Sequence, residues 1–354
     1  MTGSGDLARL ALALVDIPSE SRQERQITDF VAAEVARHQH IEVWFRSPDA
    51  IIFGPRGETG VVLAGHSDTV PAQGNLPGRL ESGVVHGLGS ADMKGALAVM
   101  LALAAELGEL PVADGRNPLF VIFGREELAL SESVLAGLFQ SCPRIQEGAL
   151  AVVMEPTANR VQAGCLGNIQ AEVEFSGVAA HSARPWLGRN AVHEALRGLR
   201  HLADLRLESV VIDGLEFREV LSVTQIAGGL ANNVIPDRCV AGLNYRYAGN
   251  RSPTDAEARL RSLVGGAGRL DVRGHAPAAS VNLANPLLQR LRAIAGVEVE
   301  PKQAWTPVAE FAARGLDAVN FGPGDPAFAH RRDEQVATEA LEGSLATLRR
   351  FLCA

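Results

Sequence analysis

The chain is poor in cysteine, has no excess of basic charge and contains no long apolar run, and each shortage excludes something. Its four cysteines (Cys142, Cys165, Cys239 and Cys353, in 354 residues) form no C-x-x-C pair and no dense framework. That excludes a disulfide-stapled scaffold and fits reduced thiols, most of them buried. Lys+Arg 33 against Asp+Glu 41 leaves −8, which argues against nucleic acid or an anionic membrane as the main partner. No apolar run reaches the roughly 18–20 residues that span a bilayer. The opening stretch MTGSGDLARLALALVD lacks a basic n-region and carries Asp6 and Asp16, so the cytoplasm is the expected location. Internal repeats and low-complexity segments are missing as well. G-L-G-S-A-D, ending at Asp92, lacks the G-x-G-x-x-G spacing of a nucleotide loop.

What remains is ordinary globular material, 47% hydrophobic and 21% charged, and long enough for two domains. Residues 6–16 and 22–37 carry helical spacing, and IEVWF, AIIFG and VVLAG read as strands. Residues 71–89, rich in Gly and Pro, read as a long loop. From Asp92 a helix is expected, apolar nearly all round and therefore in the core. LFVIF, a helix over 129–140 and ALAVVM follow. Alternation of this kind predicts an α/β domain with a mainly parallel sheet covered on both faces.

Near residue 166 the pattern changes. NIQAEVEFSG alternates apolar and polar residues, as a strand with one wet face does. A helix (NAVHEALRGLRHLADL), two strands (REVLSVTQIAGG and RCVAGLNYRY), a helix (TDAEARLRSLVGG) and a strand (RLDVRGH) come next. Strand–helix–strand–strand–helix–strand is the ferredoxin-like order. From about 278 helix and strand alternate again. The expected division is therefore residues 1–165 and 278–354 in the α/β domain, with 166–277 inserted as an α+β domain.

Imidazole and carboxylate groups recur where the apolar runs of the first domain end. They are His66 and Asp68 in G-H-S-D-T-V-P, Asp92 in G-L-G-S-A-D-M-K-G, Glu126-Glu127, Glu155 in M-E-P-T, and His330 in A-H-R-R-D-E. Each has a bland alternative: a helix cap for Asp92, a solvated face for the Glu pair, a capped strand end for H-x-D. Groups at the carboxyl ends of strands in an open α/β sheet converge on one crevice. His and carboxylates without thiolates suit one or two zinc-like ions in hydrolysis. Adjacent carboxylates repel unless cations or burial intervene. One of Glu126 and Glu127 can then hold a metal while the other accepts a proton.

These segments, with A-H-S-A-R-P, N-N-V-I-P and G-P-G-D-P-x-x-A-H, resemble the M20 family of zinc aminoacylases and exopeptidases nearly end to end, and most closely its desuccinylase branch. The resemblance implies two zinc ions, or zinc with cobalt or manganese in one site. His66 and Glu155 would complete one site, Glu127 and His330 the other, and Asp92 would bridge them. Glu126 would be the general base, Asp68 would orient the His ligand, and His181 would reach from a lid into a partner subunit's site to stabilise the oxyanion. Asn232, Asn233, Arg246 and Arg184 would bind substrate carboxylates. The inserted domain would be the lid and the seat of a homodimer. The implied reaction is hydrolysis of an N-acyl amino acid, N-succinyl-LL-2,6-diaminopimelate for this branch.

One segment departs from that pattern. W-T-P-V-A-E-F places Pro307 and Glu310 where desuccinylases carry Asp and Arg, and at the second position an anion in place of a cation is a local change of about two charges. Facing the pocket, Glu310 would oppose a dianionic succinyl substrate; supporting a loop, it would leave specificity intact. R-E-E-L-A-L-S-E-S, after the Glu pair, departs too. The departures keep a second substrate class open, another N-acyl amino acid or a dipeptide. A non-catalytic dimeric binding protein is the reading from another class.

Overall fold

The computed structural model describes residues 4–280 and 282–353 and resolves into two compact units. The first takes in the chain up to Gly164, Asn282–Glu300 and everything from Thr306 onward. Its centre is four parallel strands side by side, in the order Pro118–Phe123, Val61–His66, Leu150–Val153 and Ala318–Asn320. The first three are buried at every position, as strands covered on both faces must be. Ala50–Pro55 and Ile41–Ser47 extend the sheet antiparallel on one side, and Gln162–Ala163 pairs antiparallel with Ala318–Asn320 on the other. Phe53 and Phe120 stack at 5.0 Å across one of these ladders.

Helix Gly95–Glu106 is the expected core helix, buried from Gly95 through Ala104, and it packs against helices Ser4–Val15 and Thr338–Cys353. Its entrance differs from the expectation. Ser90–Lys94 forms a wider turn in which Asp92 (φ −126°, ψ 89°) and Met93 leave helical dihedrals, so regular helix starts at Gly95, not Asp92. Residues 71–89 are not all loop. Arg79–Glu81 and Val84–His86 form a hairpin, and Gln335–Ala337 joins it as a third strand. Ser82 and Gly83 both have positive φ, the geometry tight hairpin turns need. The helix expected over 129–140 is broken into a short 3₁₀ turn, Leu130–Glu132, and helix Leu135–Ser141. Ser133 breaks it: its backbone is extended and its Oγ accepts the Leu135 N–H at 3.3 Å.

The second unit comprises residues 165–281 and 301–305. Its antiparallel sheet runs Val220–Gly228, Arg238–Tyr247, Gly167–Ser176, Arg269–Ala276. That order, with helices Ala191–Ala203 and Pro253–Val264 in the crossovers, is the ferredoxin-like arrangement. Ile169, Val173, Phe175, Leu243 and Tyr245 point inward against Leu199, Leu202 and Leu260. A hairpin of Ser209–Ile212 and Leu215–Arg218, absent from the sequence reading, fills the first crossover. It also explains why 301–305 falls here although the sequence placed it with the α/β domain. Gln303 accepts the Arg218 N–H and donates to Glu216 O, and the Trp305 indole donates to Pro277 O.

Candidate metal centre

Backbone ladders bring the acid and imidazole groups of the first unit together. His66 is the last residue of its strand and lies in register with Phe123. Bonds from Ser67 N to Phe123 O, Met154 N to Ala64 O and Phe321 N to Val153 O carry the ladder one step past each strand. Glu126, Glu155 and the Phe321–His330 segment therefore leave the sheet at the same edge.

Asp92 sits between two imidazoles. Its Oδ1 is 3.1 Å from His66 Nε2, and its Oδ2 is 3.4 Å from His330 Nε2. His330 Nε2 also lies 2.9 Å from Glu127 Oε1, and His66 Nε2 lies 3.8 Å from Glu155 Oε1. Candidate ligand atoms of His66, Asp92 and Glu127 lie within 4.8 Å of one another, and so do those of His66, Glu126 and Glu155. His66 is 1% exposed and Asp92 11%, whereas His330 is 49% exposed and faces the open side. Its φ of 62° is left-handed, a conformation histidine tolerates better than most side chains.

The hydrogen bonds fix which nitrogen of His66 can meet a cation. Nδ1 lies 3.0 Å from the main-chain oxygen of Asp68, which can only accept, so Nδ1 keeps a proton and Nε2, whose own proton is shared with Asp92, is the nitrogen a cation would take. The Asp68 carboxylate is farther from the ring, at 3.5 Å, and has other work. It accepts the N–H groups of Glu126 (3.0 Å) and Glu127 (3.2 Å) and the Ser21 hydroxyl (2.7 Å). The sequence reading gave that carboxylate the task of orienting the histidine. In the fold both the main-chain oxygen of Asp68, at 3.0 Å, and its carboxylate, at 3.5 Å, face Nδ1, and the carboxylate anchors the Glu pair as well.

Charge is out of balance. Five carboxylates (Asp68, Asp92, Glu126, Glu127 and Glu155) share the space with two imidazoles. Burial, then the charge of Glu155, push the Glu126 carboxyl well above the ordinary range. Burial alone would raise the pKa of Asp92, but the bonds from His330 and His66 outweigh it and hold the group low. His330 is raised to about 10 by its bonds to Asp92 and Glu127. Burial would lower His66, yet the bonds to Asp68 and Asp92 carry it well above 6.5. Surplus negative charge on hard oxygen and imidazole donors, partly sheltered from water, fits divalent cations.

The profile of peptidase family M20/M25/M40 matches residues 62–354. The chain belongs to that family. A Mycobacterium tuberculosis protein provisionally named succinyl-diaminopimelate desuccinylase is 41% identical, with 98% of both chains covered. The Corynebacterium glutamicum succinyl-diaminopimelate desuccinylase is 36% identical over 98% of this chain and 96% of its own. Among solved structures, a Staphylococcus aureus tripeptidase superposes with TM-score 0.80 at 17% identity, covering 99% of this chain and 98% of that one. A Bacillus subtilis M20 peptidase described as dinuclear and metal-binding gives 0.67 at 15%, covering 99% and 97%. This M20 chain is a metal-dependent amidohydrolase, and its mainly parallel sheet and inserted domain match the family's architecture.

The remaining candidate residues of the M20 chain lie in the second unit. His181 ends the two-residue strand Ala180–His181, paired with Val234–Ile235, and Ser182 N donates to Asn233 O at 2.9 Å. His181, Arg184, Asn232 and Asn233 thus cluster around one exposed ladder. Arg246 stands apart, in strand Arg238–Tyr247, with Nε donating to Asn244 Oδ1 at 2.9 Å. Sequence reasoning passed over three groups. Ser21 and Glu334 hold site residues through hydrogen bonds, and Ser133 meets Glu310 at 3.0 Å. Glu334 closes the very A-H-R-R-D-E segment that yielded His330; a lone acid beside Asp333 gave no sign of burial.

Proposed function

We propose that the chain hydrolyses N-succinyl-LL-2,6-diaminopimelate to succinate and LL-diaminopimelate as a cytoplasmic homodimer holding two zinc ions. The observation that carries the chemistry is Asp92 set between His66 and His330, with Glu126 beside them and bound to neither imidazole by any hydrogen bond above. His66 and Glu155 would hold one cation, Glu127 and His330 the other, and Asp92 both, with zinc in each or cobalt or manganese in one. Bound there, the cations supply Lewis acidity toward a water and the acyl carbonyl. Glu126 takes the proton of the attacking water on a carboxylate oxygen and delivers it to the leaving amine nitrogen. The raised affinity of that carboxyl for a proton suits both transfers. His181 donates to the developing oxyanion, while Arg246, Arg184, Asn232 and Asn233 engage substrate carboxylates.

Glu310 bears on the substrate. It is 6% exposed and accepts the Ser133 hydroxyl, so it props the segment that follows the Glu pair. Burial raises its pKa, which moves its carboxyl toward neutrality. The lost guanidinium, and not only the added carboxyl, separates this position from the desuccinylase pattern. That loss keeps a second reading open, an N-acyl amino acid with a smaller or uncharged acyl group. An amine-release assay with zinc, on N-succinyl-diaminopimelate, N-acetylornithine, N-carbamoyl amino acids and dipeptides, tests both. Turnover of the succinyl substrate at least tenfold above the others supports the first reading. Turnover confined to the others replaces it with the second.

Support for the dimer comes from the edge strand Val220–Gly228, whose outer side has no strand partner among the described residues. Val223 (40%) and Ile226 (53%) are exposed there, as is Leu196 (59%) on helix Ala191–Ala203. A cavity of about 540 Å³ lies between strand and helix. An unprotected apolar edge is a template for pairing, and a second copy offers the same strand in return. Ile226→Asp is expected to halve the mass measured by light scattering to the 37.5 kDa protomer and to remove most activity, because His181 then has no partner site. An active monomer would count against the shared site.

A further inference from the structure

The entrance to helix Gly95–Glu106 carries the carboxylate that meets both imidazoles, yet its own backbone is irregular. Asp92 and Met93 lie outside helical dihedrals, so the N–H groups ahead of the helix have no intrahelical acceptor. One side chain takes three of them. Glu334, 2% exposed, accepts Gly89 N–H on Oε2 at 2.9 Å, and Ala91 N–H and Asp92 N–H on Oε1 at 3.1 and 3.0 Å. Its main-chain oxygen accepts Gly87 N–H at 3.0 Å. Lys94, also buried, does not pair with it directly, since its Nζ donates to Ile17 O at 2.7 Å.

We propose that Glu334 is a positioning residue for the metal centre. It fixes the backbone at Asp92 so that the two carboxylate oxygens face His66 and His330 together, and so governs affinity for a second divalent cation. The inference rests on the two-cation reading. Three arguments support it. The bonds converge on the backbone that bears Asp92, including its own N–H. Glu334 follows His330 by four residues, so one segment supplies both the imidazole beside the Asp92 carboxylate and the acceptor of the Asp92 N–H. A second element presses on the same backbone, for a Cβ added at Gly324 would lie 2.2 Å from Ala91 O. With Glu334 and Gly324 both against it, the backbone at Asp92 has little room to move. The carboxylate's separations of 3.1 and 3.4 Å from the imidazoles leave little tolerance for a displacement. A group with only a packing role would have no reason to place both oxygens on one four-residue stretch.

Glu334→Gln separates positioning from packing. The amide keeps the shape and one acceptor oxygen but turns an NH₂ toward at least one N–H donor. The metal-stripped full-length parent and variant are titrated with Zn²⁺ against a competing chelator, and kcat, KM and the melting temperature of the metal-free form are measured alongside. Two ions bound by the parent establish the two-cation reading independently. The variant is expected to bind the first ion within about threefold of the parent and the second about 10–100-fold more weakly, the range for changes behind metal ligands. kcat at limiting zinc should fall while KM stays within twofold, and excess zinc should restore kcat. Glu334→Asp, which retains charge and both acceptors on a shorter arm, is expected to lie between the two. It also supplies the answer if the amide variant does not fold. Parental affinity for both ions, together with a lowered melting temperature, in whichever variant folds, would overturn the proposal and leave Glu334 a stabilising group only.

Discussion

Replacing Glu126 by Gln is expected to lower kcat for amide hydrolysis by about 10²–10⁴-fold while both cations stay bound, the range that removing a general acid–base group commands. Glu126 combines a pKa pushed well above its ordinary value with no part in the Asp92–imidazole contacts. Burial and the nearby Glu155 charge favour its protonated form, which makes it a better acceptor than an exposed glutamate. Gln keeps the volume and the backbone N–H that bonds Asp68 Oδ1, so the anchor under the Glu pair survives. The sign of the pH effect follows. A base must be unprotonated, so activity rises with pH through the Glu126 pKa, and that limb should vanish in the variant's residual activity. Steady-state kinetics across pH 5–9, with metal content measured on the same samples, provide the check. Turnover within tenfold of the parent at full metal content would remove Glu126 from proton transfer.

Much of this was legible in the chain because strand ends report position. His66, Glu126, Glu155 and His330 each follow an apolar run, and four neighbouring parallel strands leave few places for such residues to go but one edge. The ferredoxin-like order was legible for a similar reason: alternation in Gly167–Ser176 and Arg238–Tyr247 separates inner from outer residues one by one. Local geometry was not legible where side chains overrode propensity. Ser133 splits a stretch with good helical spacing because its hydroxyl bonds both Leu135 N–H and Glu310, a partner 177 residues away. Asp92 reads as a helix cap, yet regular helix waits for Gly95, and Glu334, distant in sequence, accepts the N–H groups of Gly89, Ala91 and Asp92 ahead of it. Asp68 could be seen to matter beside the histidine, but not that its carboxylate also accepts the N–H groups of the Glu pair. All three cases involve a long-range hydrogen bond, and composition and periodicity carry no record of it.

Loading the metal-free protein with Zn²⁺ at pH 7 is expected to release about two protons, and its zinc affinity should climb steeply with pH. Both histidines have folded pKa values above 6.5, His330 at about 10 because Asp92 and Glu127 hold its charged form. A raised pKa of this kind stabilises the fold fully below 6.5, and the contribution is lost as pH rises through the folded value. At pH 7 the metal-free centre is therefore held together by imidazolium–carboxylate pairs, with Asp92 shared between them. A cation must displace the proton on Nε2 of each ring, so metal and protons compete for the same contacts. Each released proton makes apparent affinity rise about tenfold per pH unit, which for two protons approaches 100-fold from pH 6 to 7. Acid should then strip the enzyme well before it unfolds, since the same pairs re-form once the metal leaves. Calorimetric titration in two buffers of different ionisation heat counts the protons, and chelator competition at pH 6, 7 and 8 gives the slope. Free zinc at 100–1,000 times its dissociation constant should stabilise the fold by about 3–4 kcal/mol, read as a higher melting temperature than the stripped form. Binding without proton release, or with an affinity that does not change with pH, would mean that the ions are held by other groups than His66 and His330.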